Sequence, residues 1–280
     1  MDTLHAIAIA ILQGATEMFP ISSLGHAVVV PALFSWPLDQ KSPQYLPFLV
    51  LLHTGTAAAL LLYFWRDWLA LLTGVLGVNG TGVAREQRRL LLLIVIATIP
   101  AVILGYVLNH FFRALFATPL YACLFLLING LLLLLAEKLR GRATGNERPG
   151  GSMTTVDAFI VGCWQCGALL PGISRSGATI AGALLRGFSH YDSARFSFLI
   201  ALPIIVGATV LEVPHLLHSS VPAGVFQQAL IAAIVAGVTA WIATYLLMRW
   251  FRSNDDWALT PFAIYCLIFG AGSAAFLLLR

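Results

Sequence analysis

The chain has 280 residues, of which 59% are hydrophobic and only 10% charged, and its mean hydropathy is +0.89. A soluble globular protein carries roughly 25% charge, so the composition excludes that class and describes a polytopic membrane protein. The net charge of +4 bears on topology, because the basic residues of membrane proteins collect on the cytoplasmic side. No basic nucleic-acid-binding module is present, and no nucleic-acid partner is expected.

Residues 2–34 form two short apolar pieces around a polar centre that runs from Gln13 to Gly25. Each piece is too short for the roughly 30 Å hydrocarbon layer, which predicts a re-entrant hairpin. Residues 1–12 lack the basic start of a cleavable signal peptide. Gln13 and Glu17 are four apart, so a helix puts both on one face; Pro20 then breaks it and presents Ser22, Ser23 and His26. A buried carboxylate is costly unless it is paired or metal-bound, which marks Glu17 as functional; the alternative is a structural Glu17–Arg175 ion pair. His26 follows Ser23 by three residues. If a helix restarts there, the two come within hydrogen-bond reach, the usual way to activate a hydroxyl nucleophile. Predicted spans 46–65, 89–108 and 118–137 come next. His53 opens the first of them and reads equally as cavity lining or as packing.

The second half repeats the plan. Residues 155–187 are interrupted between Pro171 and Gly177, and spans are predicted at 192–212, 225–248 and 259–279. The interruption reads Pro171-Gly172-Ile173-Ser174-Arg175-Ser176-Gly177-Ala178-Thr179. A turn that opens a helix offers unpaired N–H groups and the positive end of the helix dipole. Arg175 adds a planar fork of donors that matches phosphate oxygens, and Ser174, Ser176 and Thr179 add neutral hydroxyls. The combination predicts a phosphate cradle. The competing reading is an arginine snorkelling to the interface beside serines bonded to their own helix. The four cysteines lie in apolar sequence, and Cys163-x-x-Cys166 has no second ligand pair to make a zinc site.

The expected fold class is therefore all-α, with six transmembrane helices and two re-entrant helical hairpins in one integral membrane domain. The first repeat takes residues 1–140 and the second 152–280, divided by the Arg- and Gly-rich stretch from Lys138 to Gly151. Three spans per half is an odd number, so the second half is inverted, and interrupted segments at matching places point to a midplane site. One side receives Arg66, Arg85, Arg88, Arg89, Lys138, Arg140, Arg142, Arg148, Arg186, Arg195, Arg249 and Arg252, the other Lys41, Arg113 and Arg280. The positive-inside rule makes the first side cytoplasmic. Both termini and the first hairpin then face outward, and the second hairpin enters from the cytoplasm.

Through Gln13-Gly-Ala-Thr-Glu17, Pro20-Ile-Ser22-Ser23-Leu-Gly25-His26 and the segment from Pro171 to Thr179, the chain closely resembles the undecaprenyl-diphosphate phosphatase family of bacterial membrane enzymes associated with bacitracin resistance. The likeness covers essentially the whole chain. It implies six spans, two re-entrant hairpins and often a homodimer. It also implies hydrolysis of the terminal phosphate of undecaprenyl diphosphate at the outer face of the cytoplasmic membrane, regenerating the carrier lipid for envelope polymers. On that likeness Glu17 is the family's acidic residue, Ser23 the nucleophile and His26 its base. Arg175 with Ser174, Ser176 and Thr179 holds the diphosphate, joined by Gln13, Ser22 and Gly172. A divalent cation, Mg²⁺ or Ca²⁺, is implied at Glu17. Two positions depart from the pattern: Gln13 stands where the family often has glutamate, which weakens a two-carboxylate metal site, and Leu24 where many relatives have threonine. The rival expectation is a polyprenyl-phosphate transporter or flippase, since broken helices in inverted repeats also build transport sites. The feature that separates the two is Ser23 with His26 and Glu17, since a carrier needs the anion site but has no need of a nucleophile and base.

Overall fold

A computed structural model describes residues 3–36, 45–78, 80–108, 118–141, 147–218 and 223–280, without the side chains of 45–47, 141, 211–218 and 223–226. Lys41, Arg113 and Arg142 lie outside the described residues, as does part of the stretch between the two expected repeats. The described chain forms α1 (Thr3–Met18), α2 (Ser23–Leu33), α3 (Tyr45–Tyr63), α4 (Trp65–Leu76), α5 (Thr81–Val107) and α6 (Pro119–Gly141). It continues with α7 (Thr155–Cys166), α8 (Arg175–Leu184), α9 (His190–His218), α10 (Ala223–Ser253) and α11 (Thr260–Leu279). Strand pairing among the described residues is confined to an isolated bridge between Arg148 and Phe188.

The protein is an all-α, multi-pass membrane protein. Helices α5, α6, α9, α10 and α11 are each long and apolar enough to cross a bilayer, and α3 with α4 forms a pair bent by 75° that raises the number to as many as six. The expected span 46–65 corresponds to α3, but the sequence reading missed α4. The helix turns at Phe64, where a wholly apolar run gives way to Trp65-Arg66-Asp67-Trp68. Leu71 and Gly74 of α4 are buried while Leu69, Leu72 and Leu76 are exposed, as suits a helix lying along the membrane boundary. Helix α5 begins at Thr81, well before the expected 89, and α10 runs to Ser253. The extra turns carry Arg85, Arg88, Arg249 and Arg252, which belong beyond the hydrocarbon.

Each hairpin leans on spans of the other half of the chain. Helix α1 packs on α10 and α7 packs on α5, while α3 pairs with α9 and α6 with α11. The two hairpin contacts need glycine. A Cβ on Gly14 would sit 2.3 Å from the Ala236 carbonyl oxygen of α10, and one on Gly162 would sit 2.5 Å from the Ala97 carbonyl oxygen of α5. Close backbone approach through small residues is how helices gain dispersion energy where lipid removes the hydrophobic drive.

One end of the bundle is tied by charge. Arg195 of α9 pairs with Asp67 of α4, and Arg89 donates to the Gly151 and Met153 carbonyls at 2.8 and 2.6 Å. Asp157 receives Arg148 and Arg186, both at 2.7 Å, while capping α7 through Thr154. His190 bridges Asp255 and Glu137, each at 2.9 Å, and Arg140 also pairs with Asp255 at 2.5 Å. Five arginines from one side of the charge division, Arg89, Arg140, Arg148, Arg186 and Arg195, are thus engaged at this end.

Candidate active site

The first hairpin turns between Met18 and Ser23. Helix α1 carries Gln13 and Glu17 on one face, as their spacing predicts, and Gln13 Nε2 donates to Glu17 Oε2 at 3.1 Å. Pro20 lies in the turn, and Ser22 takes φ 69°, a left-handed conformation unusual for a residue with a side chain. Its hydroxyl caps α2 by accepting from the Gly25 N–H at 3.3 Å. Ser23, the first residue of α2, donates from its hydroxyl to Glu17 Oε2 at 2.5 Å.

The expected Ser23–His26 pair is replaced by this Ser23–Glu17 pair. Because α2 starts at Ser23, the His26 ring folds back one turn, and its Nδ1 lies 2.7 Å from the Ser22 carbonyl oxygen. Its Nε2 lies 2.8 Å from the Tyr265 hydroxyl, and the ring stacks on Phe269 with centroids 4.7 Å apart. Both nitrogens of His26 are engaged away from the Ser23 hydroxyl. What the ring does in place is hold the carbonyl of the strained Ser22.

The second hairpin meets the first tip to tip. Gly172 takes φ 116°, and a Cβ there would lie 2.4 Å from the Ala122 carbonyl oxygen, so neither geometry nor space admits another residue. Ser174 caps α8, accepting from the Gly177 N–H at 3.1 Å. Ser176 donates to the Phe19 carbonyl at 3.2 Å and lies 3.0 Å from the Ser174 hydroxyl. Thr179 donates to the Arg175 carbonyl at 2.8 Å and pairs with Ser197 of α9 at 2.6 Å. The three hydroxyls expected to line a phosphate cradle are therefore engaged in joining the hairpins to each other and to α9.

Arg175 does face the first hairpin. One guanidinium nitrogen donates to the Ser197 carbonyl at 3.2 Å, and the other lies 3.3 Å from Glu17 Oε1. Glu17 is 8% exposed and the Arg175 side chain 13%. The Glu17–Arg175 ion pair expected as a structural alternative thus forms, with both side chains largely buried.

His53 also reaches this carboxylate. Its Nδ1 lies 2.8 Å from the Leu49 carbonyl oxygen, and its Nε2 lies 3.4 Å from Glu17 Oε2. A histidine inside an apolar run was the available signal. Its partner lies 36 positions away on another helix, so periodicity could not assign one. Glu17 is thereby met by Gln13, Ser23, His53 and Arg175, from α1, α2, α3 and α8.

That crowding bears on a cation. Glu17 already faces an arginine, and the buried Gln13 Oε1 is the nearby oxygen without a hydrogen-bond partner. Among the described residues no group of three or more His, Cys, Asp or Glu side chains is placed to hold a metal. The donor set does not fit an ion held by protein groups alone.

The model of the family described as "Bacitracin resistance protein BacA" matches residues 6–272. The chain belongs to this family. Similar curated proteins include an "Undecaprenyl-diphosphatase" of Granulibacter bethesdensis, 58% identical over 99% of this chain and 97% of the relative. One from Acidiphilium cryptum is 55% identical over 97% and 96%, and one from Gluconobacter oxydans 49% identical over the full length of both. The family match spans both hairpins, so Glu17, Ser23 and Arg175 all lie within it.

Proposed function

We propose that this protein hydrolyses undecaprenyl diphosphate to undecaprenyl phosphate and inorganic phosphate. In this reading it works in the bacterial cytoplasmic membrane, recycles the carrier lipid for cell-wall synthesis and confers resistance to bacitracin. The observation that carries the reading is the Ser23 hydroxyl donating at 2.5 Å to a buried carboxylate that lies 3.3 Å from Arg175. A nucleophile, its base and an anion-binding cation stand together in a chain of the BacA family. A transporter needs the cation but has no use for the other two.

In the mechanism, Arg175 turns part of its donor fork from Glu17 to the diphosphate, aided by the positive end of α8. Ser23 Oγ attacks the terminal phosphorus as its proton passes to Glu17, and the bond to the bridging oxygen breaks, releasing undecaprenyl phosphate. Glu17 passes that proton to the departing undecaprenyl phosphate. Water then attacks the phosphoserine, giving a proton to Glu17, which hands it to Ser23 Oγ as the Ser23–phosphorus bond breaks and inorganic phosphate leaves. His53 lies within 3.4 Å of the accepting oxygen, where it steadies or relays that proton. Phosphoryl transfer depends chiefly on positioning and on stabilising spread negative charge, which Arg175 supplies. Mg²⁺ or Ca²⁺ enters this reading only as an ion arriving on the substrate's phosphates.

The inverted repeat belongs to the same proposal. The pairs α1 with α10 and α7 with α5 exchange when the halves are exchanged, and α3–α9 and α6–α11 map onto themselves. Ser22 and Ser174 both cap their helices onto a glycine three residues on, which puts Ser23 and Arg175 at matching first positions of α2 and α8. The outward-facing site, six complete spans and a homodimer complete the proposal; cysteine accessibility across intact membranes and mass in nanodiscs measure them. The activity is tested by phosphate release from undecaprenyl diphosphate by purified protein beside Glu17→Ala and Arg175→Ala. Release that both substitutions abolish supports it, and no release from folded wild-type protein overturns it.

A further inference from the structure

Asn129 lies within α6, outside both hairpin motifs, and is wholly buried at 0% exposure. Its Nδ2 donates to the Pro20 carbonyl at 2.9 Å and contacts Cys266 Sγ at 3.3 Å, while its Oδ1 accepts from the Ser174 backbone N–H at 3.0 Å. Pro20 sits midway between Glu17 and Ser23, and Ser174 immediately precedes Arg175. One planar amide therefore grips the backbone of both tips beside the reacting groups. We propose that Asn129 is a positioning residue, which sets the distance between the hairpin carrying Glu17 and Ser23 and the hairpin carrying Arg175.

The chemistry of the grip is specific. Pro20 presents only an acceptor and Ser174 N–H only a donor, so the bridging group must combine a donor and an acceptor, as a side-chain amide does. A buried backbone group left without such a partner carries a desolvation penalty, so the tips hold apart or together through this bridge. The surroundings leave no slack: a Cβ on Gly177 would lie 3.3 Å from both Asn129 Oδ1 and Pro20 Cβ, and one on Gly25 would lie 3.0 Å from Gly172 Cα. The Arg175–Glu17 separation of 3.3 Å is the product of that register. Misplacement of reacting groups by about 1 Å costs on the order of 10²-fold in rate.

The inference rests on the two hairpins forming the active site, so Glu17→Ala is run in parallel. Phosphate release from undecaprenyl diphosphate is measured per folded enzyme, with folding followed by circular dichroism and size exclusion in detergent. Asn129→Ala is expected to lower kcat on the order of 10²-fold with a much smaller change in KM. Asn129→Asp fills the same volume and still accepts from Ser174, but donates to Pro20 only when protonated. Its kcat relative to wild type at the same pH should therefore rise as pH falls, a signature that a purely structural role would not produce. If Asn129→Ala does not fold, the Asn129→Asp profile decides. Wild-type kcat in Asn129→Ala, or a flat relative profile in Asn129→Asp, overturns the inference while an inactive Glu17→Ala keeps the site. An active Glu17→Ala overturns the site and the inference with it.

Discussion

Replacing Glu17 by glutamine tests the base assignment with little change of volume. Glu17 Oε2 accepts from Ser23 at 2.5 Å and from Gln13 at 3.1 Å and faces His53 at 3.4 Å, while Oε1 faces Arg175 at 3.3 Å. A glutamine keeps one acceptor and brings an amide N–H₂, so in either orientation donors oppose donors. It also cannot take the Ser23 proton. Loss of a general base costs typically 10²–10⁴-fold, which at about 1.4 kcal/mol per tenfold is about 3–5 kcal/mol of transition-state stabilisation. We expect phosphate release from undecaprenyl diphosphate to fall by that factor in kcat, measured with single-turnover kinetics so that product release does not mask it. Turnover near the wild-type rate in folded Glu17→Gln would refute Glu17 as base and return the role to His26 or to water alone.

His26→Ala should lose activity through collapse of the Ser22 turn, and His26→Asn should recover most of it, because the asparagine amide donates where Nδ1 did; failure of that rescue, compared in the same assay, would restore His26 as base. Titration calorimetry of substrate-free protein with Mg²⁺ or Ca²⁺ should show no saturable binding, since the Glu17 carboxylate is already met by Arg175. The loop residue Asp255 gives a pH effect on stability: burial disfavours its charge, but hydrogen bonds from Glu147, His190 and Arg140 prevail and hold its carboxyl well below the usual carboxylate range. A depressed carboxylate stabilises the fold above its unfolded pKa of about 3.9 and loses that contribution as pH falls toward the folded value. Thermal melts in detergent should therefore drop below about pH 4, and Asp255→Asn should flatten the drop.

Much of the site was legible because it is written in contiguous stretches. The i,i+4 pair of Gln13 and Glu17, the break at Pro20 and the glycine-flanked Ser174-Arg175-Ser176 each depend on local backbone preference, which spacing encodes. The spans were legible for the same reason, as runs whose length matches the bilayer. The surface helix α4 was missed because its start differs from the end of a span only by two charges and two tryptophans within a continuing apolar pattern.

Hydropathy and short motifs by themselves determined the class of protein, its two interrupted hairpins and the residues worth watching, since membrane insertion and helix breaking are local energies. Tertiary structure alone decided how those residues pair. Ser23 turned to Glu17 and away from His26, the cradle hydroxyls became struts between hairpins, and His53 and Asn129 entered from separate spans. Each of those outcomes depends on which helix backs onto which, and a side chain without a local partner reveals its role only when packing delivers one.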